Sequence, residues 1–246
     1  MTSHKWWNSA LVGVKDIQCV YCGEPTSAVK ENLEHVIPEA LGCKETLYRG
    51  AVCNKCNQRL GENVDSKIFQ EPLFAVGQLA TNTPGKKGSR DEIGKHVRRH
   101  KDGSVSATGE SGIKNQYFAS RAITKCAVNI LTQKFGSSVV RKESSDMISY
   151  VRSPKTKEDI WPFAALYSLT AKISVSYWLR KINFEKDEVL VVLFSCPSGL
   201  FAVPSKNELK DLPKALMELI NDEVRMKETG KGIKLENTAE FFAQEQ

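Results

Sequence analysis

The chain has 246 residues, of which 41% are hydrophobic and 26% charged, and it carries a formal net charge of +6. This composition excludes disordered, collagen-like and coiled-coil classes and allows one large domain or two small ones. The longest purely apolar run, Val189 to Phe194, is far short of the ~20 residues a membrane helix needs, and no apolar stretch follows Met1, so the reading is a soluble cytoplasmic protein with no membrane partner.

The charge is uneven. Residues 205–246 hold seven basic and nine acidic residues, which leaves the excess of positive charge on residues 1–204. A basic body with an acidic tail suits a polyanion such as nucleic acid, and it suits an ordinary solvated surface as well.

In chain order, residues 1–15 form a lead-in with Trp6 and Trp7 as packing anchors, followed by a cysteine-bearing segment over 16–69. Seven cysteines are an odd number, which argues against a complete disulfide framework. Cys19 and Cys22 form one C-x-x-C pair and Cys53 and Cys56 a second, thirty residues further on. Two such pairs supply the four thiolates of one closed tetrahedral zinc site, so the metal predicted here is structural Zn²⁺. Gly23 follows Cys22, as suits a tight turn. Cys43, Cys126 and Cys196 are left over, Cys126 on an apolar helical stripe. Residues 53–69 read as a helix, with Gly61 marking a kink or a close contact.

Residues 71–114 read as a connector rich in Gly, Ser, Lys and Arg. Within it, Lys86, Lys87, Arg90, Lys95, Arg98, Arg99 and Lys101 form a basic run that also holds His96 and His100, and Asp102-Gly103 marks a hairpin turn. We read this run as a nucleic-acid-facing segment, with a solvated loop as its rival.

Phe118, Ala122, Ile123, Cys126, Ala127, Ile130, Leu131 and Phe135 predict a helix over about 115–135, stopped by Gly136. Strict alternation from Leu169 to Leu179 predicts a half-buried strand. Two more strands are expected at 188–194 and 200–203, joined by a turn at 195–199, and a last amphipathic helix at about 213–228. Together they give an antiparallel meander packed on the 115–135 helix.

Between the two cysteine pairs stands Glu34-His35-Val36-Ile37-Pro38, and Asn57 follows the fourth cysteine. Hydrolysis of a phosphodiester needs a base for the attacking water and a cation for the developing charge. A histidine, with an ordinary pKa near 6.5, suits the first role. A carboxylate or an amide oxygen suits a hard cation. Adjacent residues on an extended segment point to opposite sides, so Glu34 and His35 can serve different partners.

With CVYCGE, LEHVIPEALG and VCNKCNQRLGENVD in this order, the segment 19–65 resembles the HNH endonuclease superfamily with its ββα-metal motif. Within it, the likeness is to the zinc-knuckle subgroup in which asparagine replaces the closing histidine, and the segment is also similar to the phage endonuclease VII group of resolvases. The resemblance implies His35 as general base, Glu34 and Asn57 as ligands of a catalytic Mg²⁺ or Mn²⁺, and hydrolysis of DNA, or of RNA, to 3′-hydroxyl and 5′-phosphate ends. The sequence departs from the family pattern in two places. Tyr48 stands where a middle asparagine would be, five residues before Cys53, and Leu60 and Gly61 stand where the resolvases carry an acid. Glu62, Asn63 and Asp65 are the candidates to complete the metal shell.

The expected architecture is therefore α+β. A zinc-stapled HNH module spans 1–70, the basic connector 71–114, and an α+β body 115–246. Two rival readings remain: a zinc-ribbon nucleic-acid-binding module without catalysis, and a degenerate nuclease acting as an interaction or effector protein.

Overall fold

A computed structural model describes residues 18–27, 32–80, 82, 92–93, 97–107, 113, 115–154, 156–157, 159–168, 175–184, 187–207, 212–228 and 238–242. The fold is α+β. In chain order the helices are α1 (Asn54–Leu60), α2 (Ser66–Ile68), α3 (Pro72–Ala80), α4 (Gln116–Phe135), α5 (Ser137–Glu143), α6 (Ser145–Arg152) and α7 (Leu212–Glu228). The strands are β1 (Glu92–Ile93), β2 (Val97–Arg99), β3 (Val105–Ala107), β4 (Ala164–Ser168), β5 (Ser176–Phe184), β6 (Asp187–Cys196), β7 (Gly199–Pro204) and β8 (Thr238–Phe242). No helix among the described residues is long and apolar enough to cross a membrane.

The larger sheet is antiparallel and runs β5-β6-β7-β4-β8. Its strand β6 shows why Val189 to Phe194 is apolar throughout. Val189, Val191 and Leu193 pack with Leu212, Leu216, Met217 and Ile220 of α7. Their alternates Leu190, Val192 and Phe194 join the main core, which includes Ile123, Cys126 and Ile130 of α4. A period of two thus serves two apolar layers, with α4 on one face of the sheet and α7 on the other. β5's Arg180 pairs with the buried Glu223 of α7.

The strand expected at 169–179 is found only in its last part. Residues 176–179 open β5, which continues to Phe184, and residues 169–174 lie outside the described residues. The helix expected over 53–69 is α1, a π-helical stretch over Gly61–Asp65, and α2. The Ser66 amide donates to the Gly61 carbonyl, five residues back. A Cβ at Gly61 would meet nothing within 4 Å, so the wide turn, and not a close contact, accounts for the irregularity there.

The small sheet β1-β2-β3 lies on α3, where Ala75, Val76 and Leu79 bury against Ile93 and Val97. Asp102 and Gly103 lie in the connection from β2 to β3, and Asp102 Oδ1 accepts from the Ser104 amide.

Helix α4 is the centre of the molecule. Every residue from Ala119 to Thr132 is buried. One continuous apolar core joins the cysteine segment (Cys19, Val20, Tyr21, Val36, Ile37, Leu47, Leu60, Val64) to α4 and to Phe194 and Phe201 of the sheet.

Candidate active site and zinc site

The first cysteine pair sits on a tight turn. The Gly23 amide donates to the Cys19 carbonyl at 2.8 Å, and Gly23 has a φ of +82°, where only glycine is unstrained. The second pair starts a helix. Cys53 is the N-cap of α1, and its sulfur accepts from the Cys56 amide. The Val20 amide donates to the Ala51 carbonyl at 2.8 Å and fastens one knuckle to the approach of the other.

The four sulfurs of Cys19, Cys22, Cys53 and Cys56 lie within 4.8 Å of one another, and Cys22 and Cys53 are 3.7 Å apart. Tetrahedral zinc with Zn–S bonds of about 2.3 Å sets its sulfurs about 3.8 Å apart, so the cluster fits that ion. The thiols influence one another strongly. The hydrogen bond from Cys56 pulls Cys19 down to about 5. Burial pushes Cys53 up to about 11, and the Cys19 hydrogen bond and then burial push Cys56 higher still. Four thiolates this close do not ionise together without a cation, and zinc binding would release the remaining protons.

Residues 34–36 form an extended segment. His35 is bridged to Thr46, the Leu47 amide donates to the Glu34 carbonyl at 2.8 Å, and the Val36 amide donates to the Glu45 carbonyl at 3.0 Å. Glu34 turns inward and is 8% exposed, while His35 is half-buried.

The inward carboxylate meets α4. Lys125 Nζ lies 2.6 Å from Glu34 Oε1 and 2.6 Å from Asp65 Oδ2, with its side chain 1% exposed. Burial pulls the ammonium pKa down, but the Asp65 and Glu34 carboxylates outweigh it and hold the group above its ordinary value, hence charged. One turn further on, Asn129 Nδ2 donates to the His35 carbonyl at 3.0 Å and to Glu34 Oε1 at 3.3 Å, and its Oδ1 accepts from the Tyr21 hydroxyl at 2.7 Å.

Among the described residues, Lys125 and Asn129 both bind Glu34 Oε1, so Oε2 is the oxygen that could serve a divalent ion. Asn57 Nδ2 donates to the Leu33 carbonyl at 3.5 Å, so its Oδ1 is the atom that could serve the same ion. Of the three candidates for the rest of the shell, Glu62 accepts from Gln58, Asn63 donates to the Arg59 carbonyl, and Asp65 lies on Lys125. Asp65 shares the Lys125 ammonium with Glu34.

Tyr48 points elsewhere. Its hydroxyl bonds to Ser137 Oγ at 2.7 Å and accepts from the Ser137 amide at 2.9 Å, at the start of α5. It serves the α4–α5 junction. In the basic run, Arg98 pairs with Glu92 at 2.9 Å across β1 and β2, both side chains well exposed. Arg99 ends β2, and Lys101 lies in the turn after it. Lys86, Lys87, Arg90, Lys95 and His96 lie outside the described residues. His100 Nε2 is 2.8 Å from Ser106 Oγ.

The sequence reading did not find Lys125, Asn129 or Tyr21. The available signal was a lysine and an asparagine at i, i+4 inside the helix that carries the long apolar stripe, a spacing that puts them on one face.

No curated protein and no solved structure matches the chain. Residues 19–73, which hold the four cysteines, the Glu34-His35 pair and Asn57, match the family model described as HNH endonuclease.

Proposed function

We propose that this protein is a metal-dependent endonuclease that hydrolyses phosphodiester bonds in DNA, with RNA as the alternative polymer. The observation that carries the reading is the Glu34-His35 pair inside a cysteine-stapled HNH segment, with the imidazole half-buried and its neighbour's carboxylate turned inward. His35 takes the proton from the attacking water. The bridge to Thr46 and the bond from Asn129 hold its backbone while that proton moves. Glu34, through Oε2, and Asn57, through Oδ1, would hold Mg²⁺ or Mn²⁺, which would offset the charge that builds on the phosphate. Zinc at the four cysteines would keep the extended segment against α1.

The basic run supplies the electrostatic grip on the polymer. Arg98 is available for it, because an exposed pair such as Arg98–Glu92 contributes little, and exchanging it for a phosphate costs correspondingly little.

The test is nicking of supercoiled plasmid in Mg²⁺ or Mn²⁺ by the zinc-loaded protein beside His35→Ala. A second reading, an HNH-shaped module that binds nucleic acid without cutting, is favoured by Tyr48, which stands at the motif's middle position but bonds to Ser137. It forecasts DNA binding with no metal-dependent nicking.

A further inference from the structure

We propose that Lys125 and Asn129 of α4 are positioning residues for the Glu34-His35 pair, acting from a helix about 90 residues away in sequence. The proposal rests on the reading of His35 as the general base. The two side chains hold two different features of the pair. Lys125 fixes the Glu34 carboxylate through Oε1 at 2.6 Å. Asn129 fixes the His35 backbone through its carbonyl at 3.0 Å.

The Asn129 amide is fully used. Its two hydrogens go to His35 O and Glu34 Oε1, and its oxygen takes the Tyr21 hydroxyl. Tyr21 lies between the first two zinc-site cysteines, so the hydroxyl sets which way the amide faces. An amide turned over would put its oxygen against a carbonyl and a carboxylate. The opposite edge of the 34–36 segment is held by the residue 45–47 backbone. The imidazole is thereby carried on backbone fixed from both sides.

Energetics favour a role beyond packing. A buried ion pair is no more stabilising than apolar residues of the same volume. Here two ionisable carboxylates, a lysine and an asparagine interrupt an otherwise apolar contact between α4 and the HNH segment. Groups that orient a catalytic ligand from behind it typically contribute 10–100-fold in activity.

The experiment uses the full-length, zinc-loaded protein and three kinds of readout. Single-turnover cleavage is measured for Asn129→Leu, Tyr21→Phe, Lys125→Met and Lys125→Arg beside wild type and His35→Ala. DNA affinity is measured without divalent metal. The imidazole ¹⁵N shifts of the four histidines are recorded in the same samples. We expect Asn129→Leu to lower the cleavage rate by about 10–100-fold with unchanged DNA affinity, and to move the His35 signal alone. Tyr21→Phe, which removes a single hydroxyl and serves if Asn129→Leu does not fold, lowers the rate less but in the same direction. Lys125→Arg retains activity that Lys125→Met loses. An impaired His35→Ala beside Asn129→Leu and Tyr21→Phe that cleave at the wild-type rate, with the His35 signal unmoved, overturns this proposal alone. A wild-type rate in His35→Ala overturns the general-base reading and this one with it.

Discussion

At the scale of the residue, the cysteines divide by neighbourhood. Four gather at the zinc site, whereas Cys126 and Cys196 are buried among apolar groups. Burial pushes the Cys196 thiol from 9.0 to about 11. The sign follows from linkage: a pKa raised on folding gives stability that is complete below pH 9 and lost as pH rises toward 11. Two units correspond to about 2–3 kcal/mol as an order of magnitude. Urea unfolding between pH 8 and 11 should show this loss, and Cys196→Ala should make the decline shallower. An unchanged slope would mean the thiol ionises as easily folded as unfolded.

The residue scale also separates what was legible from what was not. Glu34, His35 and Asn57 could be singled out as candidates because their context is local: each lies within a few residues of a cysteine pair or of Pro38. Lys125 could not, because its partners are Glu34 and Asp65 on another part of the chain. A lone lysine in a helix ordinarily reads as part of a solvated face, and only the burial of α4 on every side removes that option.

At the scale of the element, the two glycines of the α1–α3 region make opposite demands. Gly77 of α3 lies against the β6–β7 turn, where a Cβ would come to 2.9 Å from the Ser198 amide nitrogen and 3.0 Å from the Pro197 carbonyl carbon. These are backbone atoms and yield little, so Gly77→Ala should destabilise by about 1–3 kcal/mol. Gly61 has helical backbone angles and open space around it. Gly61→Ala should be neutral or stabilise by up to about 1 kcal/mol. Thermal unfolding of the two variants checks both signs, and a destabilising Gly61→Ala would mean that the π-helical turn depends on glycine.

Elements with one strong period were legible. The i, i+3, i+4 stripe placed α4 and α7 to within a residue or two, and the apolar run at 189–194 marked β6. The strand β4, the short helices α5 and α6, and α3 were not read. Pro72–Ala80 is apolar on nearly every side and has no stripe, and it is covered by the small sheet on one side and the β6–β7 turn on another. Ala164–Ser168 is paired on both edges by strands distant in sequence, a partnership no local pattern reveals.

At the scale of the whole molecule, the cysteine-bearing segment and α4 share one core, and zinc stability should be felt throughout. Structural zinc contributes about 10–16 kcal/mol in small metal-dependent folds, comparable to the entire stability of a domain. Chelation, or Cys53→Ser, should therefore lower the thermal transition of the chain as one cooperative event, read by calorimetry with zinc content measured alongside. Two separate transitions, the upper one unmoved, would show that the parts unfold independently.

The basic run belongs to the same scale, since its charge would act on a polyanion through the long-range field. If Arg98 and Arg99 each contact a phosphate, replacing both with alanine reduces the slope of log K against log salt by about 2 and leaves sequence preference unchanged. A wild-type slope would make the run a solvated loop.

The most direct test of the central claim is the rate at which zinc-loaded protein converts supercoiled plasmid to nicked circles in Mg²⁺ or Mn²⁺, wild type against His35→Ala. With His35 as general base, the wild type nicks only when the divalent ion is present, and His35→Ala is slower by about 10²–10⁴-fold with zinc content and folding retained. Equal rates in the two proteins would contradict the account.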